Sequence, residues 1–224
     1  MGVTYNNRIV TDGLVLCLDA ASKRSYPGTG TTWTDLKGGN NVTLTNGPVF
    51  DSGNGGSVGF DGANDYAKND SPDLPTGNVT ATICAWLYRI NTSGGWQGIA
   101  GWGNRSTGQS ALLDMNQSRL AFSTWGSVNS EDVISTYTVP ANTWKYVVGS
   151  ISNKNIKLYQ DGIKVLDQTL ANTPNVASTQ LRIATTDYPG RLLQCNIAAV
   201  QIYSRVLSDD EIRHNYLSTK ERFA

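Results

Sequence analysis

The stretch Thr80–Arg89 reads TATICAWLYR. In an extended chain, alternation puts Ile83, Ala85 and Leu87 on one face and Cys84, Trp86 and Tyr88 on the other. Both faces are apolar or aromatic. The stretch therefore reads as a strand covered on both sides and central in its sheet. Short apolar runs bounded by turn residues recur along the whole chain, as in a β-sandwich or barrel. GLVLCLDA is a first strand. PGTGTTWTDLKGGNN is a long loop with Trp33 tucked inward. SVGFDGANDYA reads as strand, turn, strand, and TWKYVVGSI as a further strand. NIKLYQDGIKVLDQ is a hairpin whose Asp161-Gly162 pair supplies the two positive-φ positions of a tight turn. TQLRIATT and CNIAAVQIYS complete the sheets.

One helix is expected, over about residues 209–217. Ser208 is its N-cap, and Glu211 three residues on completes a capping box. Leu207 and Ile212 form a hydrophobic staple, and Asp209 and Asp210 complement the positive helix end. No repeat, linker or boundary divides the 224 residues. The expectation is one domain over 1–224, with its core at about 13–207.

Formal net charge is zero. Nothing electrostatic favours DNA, RNA or an anionic membrane as partner. The amino-terminal stretch lacks a charged region followed by an adequate apolar one, so neither a signal peptide nor a membrane span is expected. Asn-x-Ser/Thr triplets at Asn41, Asn78 and Asn104 then follow from a polar composition. The three cysteines, Cys17, Cys84 and Cys195, have no CxxC spacing and lie in apolar runs. They are expected to be buried free thiols.

Four stretches, in order, carry a resemblance. They are GLVLCLDAASKRSYPGTGTTWTDL; SVGFDGANDYA with TICAWLY; TWKYVVGSISNKNIKLYQDGIKV; and IAAVQIYSRVLSDDEI. Together they resemble the laminin G-like jelly roll of the concanavalin A-like lectin and glucanase superfamily, over about residues 13–217. SVGFDGANDYA is similar to the family's FDGxxDY hairpin. Gln160, and Gln194-Cys195-Asn196, depart from the usual pattern. The resemblance implies an all-β jelly-roll sandwich of two antiparallel sheets, one of them curved with a sugar-binding concave face in many relatives, and a short C-terminal helix. Such a fold hosts lectins, hydrolases and structural modules, so function rests on the site.

Catalytic residues are not expected. A glycosidase needs two carboxyl groups facing the scissile bond, and no E-x-D-x-E strand exists. The glutamates are Glu131, Glu211 and Glu221 only. Glu131 and Asp132 are adjacent and point apart in a strand. Glu211 belongs to the helix cap, and His214, the only histidine, lies on the outer side of that helix.

Asp61 and Asp65, with Asn64, offer oxygen ligands to a structural calcium. Their Asp-Gly and Asn-Asp pairs are equally turn chemistry, which is the preferred reading. No cofactor is required. For ligand binding the candidates are Trp96, Trp102, Arg105, Trp125 and Tyr188. Aromatic faces beside small residues suit sugar stacking, and Arg105 supplies hydrogen bonds. The opening YPGTGTTWTDL resembles structural proteins of tailed bacteriophages. That resemblance implies a virion-surface protein (capsid decoration, neck or tail fibre) assembled in the host cytoplasm, with other virion proteins, further copies of itself and host-surface glycans as partners. Two other classes stay open: a bacterial carbohydrate-binding lectin module, and a glycoside hydrolase with an atypical site.

Overall fold

The strand Thr80–Arg89 lies between two antiparallel neighbours, Trp144–Ser152 and Gln194–Tyr203, as its two apolar faces require. The computed structural model describes residues 8–90, 94–128, 130–177, 179–186, 188 and 190–224. The first seven residues of the expected domain lie outside them.

In chain order the strands are β1 (Leu14–Asp19), β2 (Thr32–Trp33), β3 (Val42–Thr45), β4 (Val49–Asp51), β5 (Ser57–Asp61), β6 (Tyr66–Asn69), β7 (Thr80–Arg89) and β8 (Trp96–Gly103). They continue as β9 (Ser110–Asn116), β10 (Arg119–Ser123), β11 (Asp132–Thr138), β12 (Trp144–Ser152), β13 (Asn155–Gln160), β14 (Ile163–Thr169), β15 (Leu181–Ile183) and β16 (Gln194–Tyr203). One sheet runs β14-β13-β12-β7-β16-β5-β4, with β1 also paired to β16. The other runs β11-β10-β9-β8-β15-β6-β3-β2. All these ladders are antiparallel, and the two sheets form a jelly-roll sandwich.

The face of β7 carrying Ile83, Ala85 and Leu87 enters the main core between the sheets. Trp33 is in that core too, fully buried as its loop sequence suggested. The opposite face of β7, with Cys84 and Trp86, belongs to a second apolar layer beneath α1 (Asp209–Thr219). Helix α1 starts as expected: Ser208 Oγ accepts from the Glu211 N–H, and the Glu211 carboxylate accepts from the Ser208 N–H. It runs two residues beyond the expected end. Leu207 and Ile212 are both fully buried in the layer beneath it, each contributing about 1.5–3 kcal/mol. The β13–β14 turn has Asp161 at φ 53° and Gly162 at φ 77°, the geometry expected of a tight hairpin.

Two expectations are corrected. SVGFDGANDYA is not a hairpin: β5 pairs with β16 and β4 in the first sheet, whereas β6 pairs with β15 and β3 in the second. The turn between them carries the chain across the sandwich. The cysteines are free, but only Cys84 and Cys195 are buried, and Cys17 is half-buried. Burial pushes the Cys17 and Cys84 thiols up to about 12 and raises Cys195 further, so all three stay protonated near neutral pH.

Candidate functional site

The site is built on β8 and on two segments brought to its outer side. Strand β8 carries a bulge: its register against β9 shifts between Gly98 and Ala100. An extra residue there resets the alternation. Ile99 and Trp102, which simple alternation places on opposite faces, are therefore both in the main core. Trp102 is 1% exposed and its indole N–H donates to Pro75 O at 2.8 Å. This corrects the expectation that Trp102 offers a stacking face. Trp96, at the start of β8, stays half-buried.

The segment 184–193 folds back over β8. Ala184 N–H donates to Ile99 O (2.9 Å), Gly98 N–H to Arg191 O (3.2 Å), and Gln97 Nε2 to Leu192 O (3.0 Å). Glycine at 98 permits the approach, because a Cβ there would stand 2.2 Å from Thr185 O. This docking brings Tyr188, 40% exposed, and Arg191 alongside Trp96 and Trp125.

Trp125 is presented by the turn joining β10 to β11. Its φ of +70° is left-handed, at a cost of about 1–2 kcal/mol for a residue with a Cβ. Two buried carboxylates hold the turn in place. Asp132 Oδ1 accepts from Ser123 Oγ (2.9 Å) and Thr124 N–H (3.1 Å), while Glu131 Oε2 accepts from Ser127 N–H (2.9 Å). Glu131 Oε1 accepts from Asn172 Nδ2 at 2.5 Å. Burial raises the Asp132 carboxyl above its ordinary value, against hydrogen bonds from Ser123 and nearby backbone N–H groups. Glu131 and Asp132 thus act as struts for Trp125.

The rings and guanidinium groups interleave. Trp125 and Tyr188 have ring centroids 5.9 Å apart. Arg105 Cζ lies 4.1 Å from the Tyr188 centroid and 5.7 Å from that of Trp125. Arg191 Cζ lies 4.4 Å from Trp125, 5.2 Å from Tyr188 and 5.6 Å from Trp96. Each exposed contact of this kind contributes about 0.5–1 kcal/mol. Four of the five expected ligand-binding residues are therefore gathered in one cluster, and Trp102 is not. Arg191 was missed. Its only local signal was its place beside Tyr188 in the loop-like TDYPGR.

A cleft of about 410 Å³ adjoins the cluster, with Tyr188 common to both. Asn46, Asn64, Tyr66, Arg182 and Thr186 also line it. The FDGANDY turn thus borders the cleft through Ala63, Asn64 and Tyr66, not through its aspartates. Asp61 Oδ1 accepts from the N–H groups of Ala63 (2.8 Å), Asn64 (3.1 Å) and Asp65 (3.2 Å). Those bonds hold the Asp61 carboxyl below its ordinary value. Asp65, whose carboxyl is raised chiefly by burial, accepts from Asp61 N–H at 3.3 Å. This geometry is that of a turn. Among the described residues no three His, Cys, Asp or Glu side chains converge as a metal site.

A larger hollow, about 460 Å³, lies beneath the carboxyl-terminal segment on the outer side of the first sheet. Arg222 there is committed to Asp19 (2.8 Å) and to the carbonyls of Asn54 and Gly56 (2.7 Å each). It fixes the chain end. Among the described residues no helix is long and apolar enough to cross a membrane.

A two-sheet sandwich with an aromatic and cationic cluster on an outer face defines a lectin-like β-domain. Residues 60–213 match the laminin G family of the concanavalin A-like lectin/glucanases superfamily, and the chain belongs to it. No curated protein matches the chain. Among solved structures it is similar to the Trypanosoma rangeli sialidase in complex with the inhibitor DANA, at 16% identity and a TM-score of 0.70 over 96% of this chain and 34% of that one. Domain 4 of AbnA, an extracellular arabinanase of Geobacillus stearothermophilus in complex with arabinotriose, matches at 16% identity and a TM-score of 0.70 over 91% of this chain and 98% of that one. The botulinum neurotoxin serotype G binding domain matches at 13% identity and a TM-score of 0.72, over 91% of this chain and 50% of that one. The chain spans about a third of the sialidase and half of the toxin binding domain. At these identities the likeness establishes the fold.

Proposed function

We propose that this domain is a non-catalytic adhesion module that binds glycan through the cluster of Trp96, Arg105, Trp125, Tyr188 and Arg191. The observation that carries this reading is the convergence of these residues beside a cleft on one outer face. Similar chains support it: one is named as a domain in complex with arabinotriose, another as a toxin binding domain. The carboxylates argue against hydrolysis. Asp132 and Glu131 are committed to the Trp125 turn, and Glu211 to the helix cap and Arg205. A panel of α- and β-linked polysaccharides should release no reducing ends above a heat-killed control. Release that disappears in an Asp132→Asn variant would restore the hydrolase reading.

The setting proposed is the surface of a tailed-bacteriophage particle, with copies of the protein arranged by the particle's symmetry beside other virion proteins. Support comes from the resemblance of YPGTGTTWTDL to phage structural proteins. Multiplicity suits the site, since repeated weak contacts give avidity that one exposed cluster lacks. On a glycan array, a multimerised form should bind far better than the single domain, and Trp125→Ala or Tyr188→Ala should abolish the signal. Mass spectrometry of purified particles tests the setting. Presence in a bacterial cell-envelope fraction and absence from virions would favour the bacterial lectin instead.

A further inference from the structure

The cluster differs from a bare stacking platform in one respect. Guanidinium groups already cover its ring faces. Arg105 sits 4.1 Å above Tyr188, and Arg191 sits 4.4 Å above Trp125. A face covered by a cation is closed to a neutral sugar ring. What the covered face presents is a planar set of N–H donors, held by the ring beneath. Such a fork matches the two oxygens of a carboxylate. Among the described residues, neither Arg105 nor Arg191 forms a salt bridge. Each of the acids nearest in sequence to Trp125, Glu131 and Asp132, is turned to its own loop. Arg182, on the neighbouring strand β15, adds a third positive charge to the cleft wall, 5.8 Å from the Tyr66 ring. The chain as a whole is neutral, and among the described residues of the cluster and cleft the charged side chains are Arg105, Arg182 and Arg191.

We propose that the site takes an acidic glycan, with the carboxylate of a uronic or nonulosonic acid residue received by Arg105 and Arg191. The adjoining cleft then holds the rest of the sugar against Tyr66 and Tyr188, with Asn64 and Thr186 as hydrogen-bonding partners. This rests on the glycan-binding reading above and narrows it to charged sugars. Arginine and aromatic side chains also stack on nucleic-acid bases, which the test must separate.

The test is titration, by nuclear magnetic resonance, with two matched pairs of probes: trigalacturonate against its methyl ester, and sialyllactose against lactose. Within each pair the neutral member lacks the free carboxylate. For at least one pair the acid should bind about tenfold more tightly, the change expected of one or two charge-assisted hydrogen bonds. Arg105→Gln with Arg191→Gln should bring that ratio to about one, and Arg105→Lys with Arg191→Lys should leave it intermediate, since charge remains without the fork. Arg105 is exposed and Arg191 half-buried, so both variants should stay folded, with melting temperatures lowered only as far as the lost ring contacts account for. Ester and acid binding equally would overturn the inference and leave the glycan reading standing. No binding to these probes or to any array glycan would overturn both. Equal affinity for a single-stranded oligonucleotide would also overturn the inference, by reducing the site to a general anion binder.

Discussion

Glu211 serves two partners. Its carboxylate receives Arg205 in a bidentate pair, Nη2–Oε1 at 2.6 Å and Nη1–Oε2 at 2.8 Å, and it caps Ser208 N–H at 2.8 Å. The Arg205 guanidinium, with the backbone of Ser208, lowers the Glu211 carboxyl from 4.5 to about 2. A carboxyl depressed in the folded state stabilises above its unfolded value and loses that effect as pH falls through the folded one. The native protein should therefore lose stability between about pH 4.5 and 2 more steeply than Glu211→Gln, as denaturant midpoints across that window would record. Parallel acid limbs for the two would remove Glu211 from the account. Ser208→Ala, at neutral pH, should cost about 0.5–2 kcal/mol through the lost N-cap acceptor. An unchanged denaturation midpoint would mean that helix packing alone holds α1.

At the scale of the element, the β8 bulge and the segment 184–193 form a unit. The bulge sends Trp102 inward, and the segment carries Tyr188 and Arg191 to the surface above. Gly98 is the point of closest approach. Gly98→Ala would press a methyl group against Thr185 O at 2.2 Å, so the segment must move. The expected result is a loss of about 1–3 kcal/mol, as for other overpacked sites, together with loss of the acidic-glycan signal. Retained binding at reduced stability would show that Tyr188 and Arg191 hold their places without this docking. Local signals left the unit unread. A bulge is decided by how β8 pairs with β9 and β15, and nothing in GIAGWGNRS announces it. Arg191 looked like any loop arginine until the fold set it against Trp125.

For the whole molecule, the metal question turns on the β5–β6 turn. Asp61 bonds three backbone N–H groups of its own turn, at the point where the chain passes from one sheet to the other. On the turn-only reading, EDTA and millimolar calcium should leave the melting temperature unchanged. A ligand binding the native state alone would raise it, and a reversible rise with calcium would assign Asp61 and Asp65 to a structural ion.

Local physics in the sequence determined the strands of period two, the Asp161-Gly162 hairpin, the Ser208–Glu211 capping box and the two-sided burial of Thr80–Arg89. Each depends on residues within a few positions of one another. The chain also contained the aromatic candidates, since tryptophan and tyrosine beside glycine and other turn residues are legible one by one. Only the tertiary structure decided which of them share a site. A turn such as FDGANDY has the same chemistry whether it joins neighbours in one sheet or crosses between two. Its outcome rests on pairings with β16 and β15, more than a hundred residues away along the chain. Trp96, Arg105, Trp125, Tyr188 and Arg191 are likewise spread between positions 96 and 191, and long-range strand pairing, with the docking of the segment 184–193, brings their side chains together.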